Sequence, residues 1–133
     1  MNLDNLLHLD GNEILLIHDS ILEDHAGLKG SRRDLSVDAL VGRIHSNLTY
    51  QASEFTTIES VAALYAEVIA KGHVFNDGNK RTALLCMVTF LELNDLTFDV
   101  DEEKLADKMV EVAEGLITHK SLAQWLKTYL RPI

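Results

Sequence analysis

The chain has 133 residues, 47% of them hydrophobic, with one proline and seven glycines, which suits one domain with a core and no Pro-, Ser- or Gly-rich linker. A formal charge of −9 argues against gripping nucleic acid by its phosphates. Cys86 is the single cysteine, the start MNLDNLLHLDGNE lacks the basic and apolar regions of a secretory signal, and no apolar run approaches the roughly 20 residues that span a bilayer, so a cytoplasmic chain without disulfide or membrane partner is expected.

Apolar spacing is helical almost throughout. Ile14, Leu15, His18, Ile21 and Leu22 share one stripe, with Asp10 or Asn12 as its cap and Gly27 as its stop. The segment GLKGSRRDLS, 27–36, reads as a loop whose Arg32 and Arg33 are surface charges at a place where a protein partner would touch. Val37, Leu40, Val41, Ile44 and Leu48 form the next stripe. Thr56-Thr57-Ile58-Glu59 has the spacing of a capping box and opens a helix that ends at Gly72. A helix from Asn79 to Asn94 is apolar on nearly every side, which predicts burial and makes Cys86 a packing residue. LTFDV, 96–100, reads as a short strand, and two further helices follow, one before Gly115 and one starting near Thr118 with Trp125 in the core. The class is all-α, about six helices around a buried central helix, in one domain covering residues 1–133.

Charge is distributed unevenly. Asp95–Glu114 carries eight acids against two lysines, whereas Lys71–Arg81 carries three cations against Asp77 alone. That positive island contains HVFNDGNKRTALL, 73–85, which feeds the start of the apolar helix. The first turn of a helix offers free N–H groups and partial positive charge, a ready site for phosphate. Asn79, Lys80 and Arg81 occupy that turn, and Gly78 lets the backbone approach a ligand or adopt positive φ. A lone carboxylate, Asp77, suits Mg²⁺ beside bound phosphates. His73 is a base for a hydroxyl proton, and Phe75 alternates with these polar residues as an inward anchor. Taken together the set fits nucleotide-dependent group transfer to a hydroxyl. It is not the G-x-x-x-x-G-K-[ST] phosphate loop, since five residues separate Gly72 from Gly78. His18-Asp19 reads as packing under the site, and His8, His25, His45 and His119 show no constellation.

HVFNDGNKRTALL resembles the Fic/Doc signature, most closely its death-on-curing (Doc) branch. LIHDSILEDHAGLKG, VTFLELND and VAEGLITHKSLAQWL are similar to other segments of that branch. The resemblance implies a compact helical fold, with His73 as the base, Asp77 holding Mg²⁺ on the nucleotide, and Gly78, Asn79, Lys80 and Arg81 as the anion cradle. Lys71 stands where a basic residue also meets phosphate.

AMP-transferring Fic enzymes read H-x-F-x-[DE]-G-N-G-R-x-x-R, whereas this chain has Lys80 at the second glycine and Leu84 at the second arginine. Both departures are those of the Doc branch, and they imply ATP bound in the reverse sense. The chain is then expected to be a toxin of a toxin–antitoxin pair that phosphorylates a protein hydroxyl, a threonine of elongation factor Tu in that branch, and blocks translation. AMP transfer to a protein hydroxyl and a catalytically idle binding module are the competing expectations. The self-inhibitory pattern S/T-x-x-x-E-[GN] is incomplete, because Val110 stands four before Glu114. Inhibition is therefore expected from an antitoxin whose disordered C-terminal segment folds on binding.

Overall fold

Asp10 and Glu13 bond reciprocally, Glu13 N–H to Asp10 Oδ1 at 2.8 Å and Asp10 N–H to Glu13 Oε1 at 3.1 Å. This capping box starts α1, Gly11–Asp24, and selects Asp10 over Asn12 as the cap. The computed structural model describes residues 5–24 and 36–133. Gly27, His25, Arg32, Arg33 and the rest of the expected loop up to residue 35 lie outside the described residues.

Ser36 caps α2, Val37–Tyr50, by accepting from the Ala39 N–H. A short 3₁₀ turn, Ala52–Glu54, leads to α3, Ile58–Gly72. The capping box of α3 is Thr57 with Ser60, one residue later than the Thr56–Glu59 pair read from the sequence. After the signature loop come α4, Asn79–Leu93, β1, Leu96–Phe98, and α5, Glu102–Ala113, which Asp101 caps. The chain closes with α6, His119–Lys127, and β2, Leu130–Pro132. β1 and β2 pair antiparallel with Thr97 opposite Arg131, tying the end of the chain to the exit of α4.

The centre is α3 rather than α4 alone. Eleven of its fifteen residues are buried, and it packs against α2, α4, α5 and α6. Its alanines, Ala62, Ala63, Ala66 and Ala70, keep it thin enough for neighbours to close in from several sides. α4 buries Ala83, Cys86, Met87, Phe90 and Leu91, while Leu84 and Leu85 are only partly covered and Leu93 is exposed. Cys86 is inert packing, its thiol pushed up to about 12 by burial. Trp125 is half-buried rather than core, with Lys108 Nζ 5.5 Å above its ring and Tyr129 tilted against it. No helix among the described residues is long and apolar enough to cross a membrane.

Candidate active site

The end of α3 and the start of α4 meet at the signature loop. α3 stops because His73 takes a left-handed conformation, φ 51° and ψ 33°, which breaks the helical run. Val74 and Phe75 then turn into the core and are fully buried. Asn79 reaches back over the turn to bond both the N–H and the carbonyl of Phe75. Gly78, at φ 79°, is the N-cap of α4, and no side chain caps that helix. The amide of Gly78 donates to Asp77 Oδ1 at 2.8 Å. A helix led by a left-handed glycine without a side-chain cap leaves its first N–H groups open to an anion.

Beneath this loop lies His18 of α1. Its Nε2–H donates to the Asp77 carbonyl at 2.8 Å, and its Nδ1 lies 3.1 Å from Asp19 Oδ1. The ring stacks flat on Phe75, centroids 3.8 Å apart at 9°. The expectation that His18 packs under the site is thus met.

Asp77, Gly78, Asn79, Lys80 and Arg81 line one groove of about 730 Å³ between α1, α4 and α5. Its opposite wall is apolar, from Leu84 and Leu85 of α4 and Leu105, Met109 and Val110 of α5. Glu102 faces the same space. His73 and Lys71 stand apart from this lining, exposed on the α3 side of the loop. The α5 wall was not legible beforehand: a stripe of apolar residues on an acidic helix says only that the helix packs somewhere.

Two histidines read as solitary have partners. His8 Nδ1 lies 2.8 Å from the Tyr65 hydroxyl, with the His45 ring 6.1 Å away. His119 receives Glu67, whose Oε2 accepts from the His119 N–H at 2.6 Å and so caps α6 from α3. Neither place gathers a metal set: among the described residues no three His, Cys, Asp or Glu side chains cluster to hold an ion. One exposed carboxylate at Asp77 fits Mg²⁺ carried in on phosphates, a cation that takes one or two protein carboxylates and completes its shell from substrate and water.

The Fic/DOC family model matches residues 8–91, which span α1 to α4 and the whole loop. The chain is 35% identical over 120 residues to the protein kinase doc of Escherichia phage P1, covering 90% of this chain and 93% of that one. It is 35% identical over 79 residues to the toxin Doc of Mycolicibacterium smegmatis, covering 58% of this chain and 60% of that one. The helical frame, the loop it carries and the match across both place the chain in the Fic/Doc family.

Proposed function

We propose that this protein is a toxin that transfers the γ-phosphate of ATP to a hydroxyl of a protein target, a threonine of elongation factor Tu, and so stops translation. One observation carries the reading. The uncapped start of α4 and the side chains of Lys80 and Arg81 share a groove with Asp77, while Leu84 supplies an apolar wall where AMP-transferring relatives have an arginine. The name of the phage relative, a protein kinase 35% identical along nearly its whole length, supports it.

In the proposed reaction the target hydroxyl oxygen forms a bond to the γ-phosphorus as the bond to the bridging oxygen breaks and ADP leaves. An imidazole nitrogen of His73 takes the hydroxyl proton. Lys80, Arg81 and the first N–H groups of α4 hold the phosphate oxygens through the change in charge. Mg²⁺ held by Asp77 would offset charge on those oxygens. Lys80 crowds the path that β- and γ-phosphates take in AMP-transferring relatives, and Leu84 removes a clamp on them, so the triphosphate is read as reversed.

The test uses purified protein, elongation factor Tu and ATP labelled at either end. Label from the γ position with a mass gain of one phosphate, lost in His73→Ala, is expected. Label from the α position with a mass gain of AMP would replace the kinase by an AMP-transferase, and label from neither would leave a binding module. We further read the apolar wall of Leu84, Leu85, Met109 and Val110 as the seat of an amphipathic helical segment from an antitoxin. Pull-down from the native cell should recover a small stoichiometric partner, and repeated recovery of none would rule the pair out.

A further inference from the structure

The phosphate reading uses the signature loop but not the side chain that supports it. His18 is completely buried, yet it is an imidazole, and a phenylalanine or leucine would fill the same space without burying polar atoms. Its Nε2 is engaged by the Asp77 carbonyl, and its Nδ1 lies beside Asp19. The ring meets three signature residues: its face lies on Phe75, its Nε2 bonds Asp77, and its Cδ2 passes 3.8 Å from where a Cβ on Gly78 would stand.

The bond to Asp77 acts on a single peptide plane. The carbonyl of the Asp77–Gly78 peptide faces His18, and its N–H faces Asp77 Oδ1. Glycine at φ 79° follows that plane, and glycine is the residue that lets a peptide flip at little expense. A flip would turn the carbonyl towards the start of α4, where an anion needs donors, and would break the Gly78 N–H bond that holds the Asp77 carboxylate. Something must hold the plane, and His18 is the side chain placed to do so.

We propose that His18 is a positioning residue: it locks the Asp77–Gly78 peptide so that the Asp77 carboxylate and the first N–H groups of α4 keep one phosphate-binding geometry. The inference rests on the reading of this groove as the phosphate site.

Two substitutions separate shape from hydrogen bond. His18→Phe keeps a ring on Phe75 and deletes the Nε2 donor, whereas His18→Gln loses the ring and keeps an N–H at similar reach. Amide hydrogen exchange of Gly78, whose N–H is held by Asp77 Oδ1, and of Thr82, whose N–H is held by the Gly78 carbonyl, is measured in the full chain without ligand, with the amides of α3 as internal reference. His18→Phe should raise exchange at Gly78 and Thr82 while α3 stays protected, and His18→Gln should return it towards wild type. In γ-phosphate transfer to elongation factor Tu, His18→Phe should lower kcat by about 10–100-fold with the KM for the target protein unchanged and the Mg²⁺ requirement raised, the range typical for residues that orient a metal ligand. His18→Gln should recover most of that loss. Wild-type protection at Gly78 and Thr82 in His18→Phe overturns the proposal, and so does exchange raised equally across α3, which marks general destabilisation. If His18→Phe does not fold, His18→Asn replaces it, since its shorter amide mimics Nδ1 and falls short of Asp77; equal exchange in His18→Asn and His18→Gln then overturns the proposal. If the wild-type protein transfers no phosphate, the kinase reading falls, and the exchange comparison still decides the role of His18.

Discussion

Asn79 holds Phe75 by both ends of its side-chain amide: Oδ1 accepts from the Phe75 N–H at 3.1 Å, and Nδ2 donates to the Phe75 carbonyl at 3.0 Å. The side chain is thereby committed to closing the loop, and the main-chain N–H is what Asn79 has left to offer a phosphate. The two bonds also fasten the buried Phe75 ring to the first residue of α4. Asn79→Ala removes both bonds and leaves two part-buried main-chain groups unpaired, a loss of about 1–3 kcal/mol. Asn79→Asp keeps the acceptor, sets a carboxylate against the Phe75 carbonyl and should be no better. Urea unfolding checks this, and an Asn79→Ala protein as stable as wild type would show that the loop closes without the amide.

His73 pairs a proposed chemical role with an unfavourable backbone. At φ 51° a side chain with a Cβ is strained by roughly 1 kcal/mol relative to glycine. Glycine returns part of that through its greater freedom in the unfolded chain. His73→Gly is therefore expected to be more stable than His73→Ala by less than about 1 kcal/mol, with phosphate transfer lost in both. If His73→Ala proves the more stable, the left-handed turn at the end of α3 is not a source of strain.

The helices and the signature loop were legible because each carries a local pattern: apolar stripes at helical spacing, a cap at Asp10, and Phe75 between polar neighbours. Where two local signals overlap, the sequence does not choose. Thr56 and Thr57 each have a partner three residues on, and the box forms at Thr57–Ser60, where Ile58 and Ser60 are both buried. Long-range features had no local signal. Three residues containing Pro132 do not look like a strand until Leu96–Phe98 lies beside them. The apolar wall of the groove exists only because α5 folds back next to the start of α4. The same holds for α3: an alanine-rich helix reads as ordinary until four other helices close on it.

Acid should weaken the seat of the N-terminal segment. The Tyr65 phenol is pushed up to about 12, chiefly by burial, and so stays protonated. Its oxygen accepts from the Leu9 N–H at 3.2 Å, and its O–H is left to donate to His8 Nδ1. Partial burial, and next the nearby His45, lower the pKa of His8. The folded protein therefore favours neutral His8 more than the unfolded chain does. This contribution is complete above the unfolded value of about 6.5 and is lost as pH falls through it towards the folded value. The urea midpoint should drop on acidification below about pH 6.5, and His8→Phe should flatten that slope. An identical slope in the two proteins would assign the acid sensitivity to other groups.

Gly72 sits where helix propensity and packing oppose each other. Alanine is the better helix former by about 0.8–1 kcal/mol, which favours Gly72→Ala. Yet a Cβ there would stand 2.5 Å from Leu40 Cδ2, and Leu40 is wholly buried in the face of α2. Where the buried Leu40 side chain does not swing aside, the contact is relieved by displacing backbone, at about 1–3 kcal/mol. The clash outweighs the propensity, so Gly72→Ala should be destabilised by up to about 2 kcal/mol. The displaced backbone is the end of α3, and His73 is the next residue, so phosphate transfer should fall by more than stability alone accounts for. Leu40→Val, placed in the same chain, withdraws the end of the side chain from Gly72 and should restore much of the transfer even though it thins the core. If Gly72→Ala is instead more stable and fully active, Leu40 yields freely and the close approach of α2 does not set the position of His73.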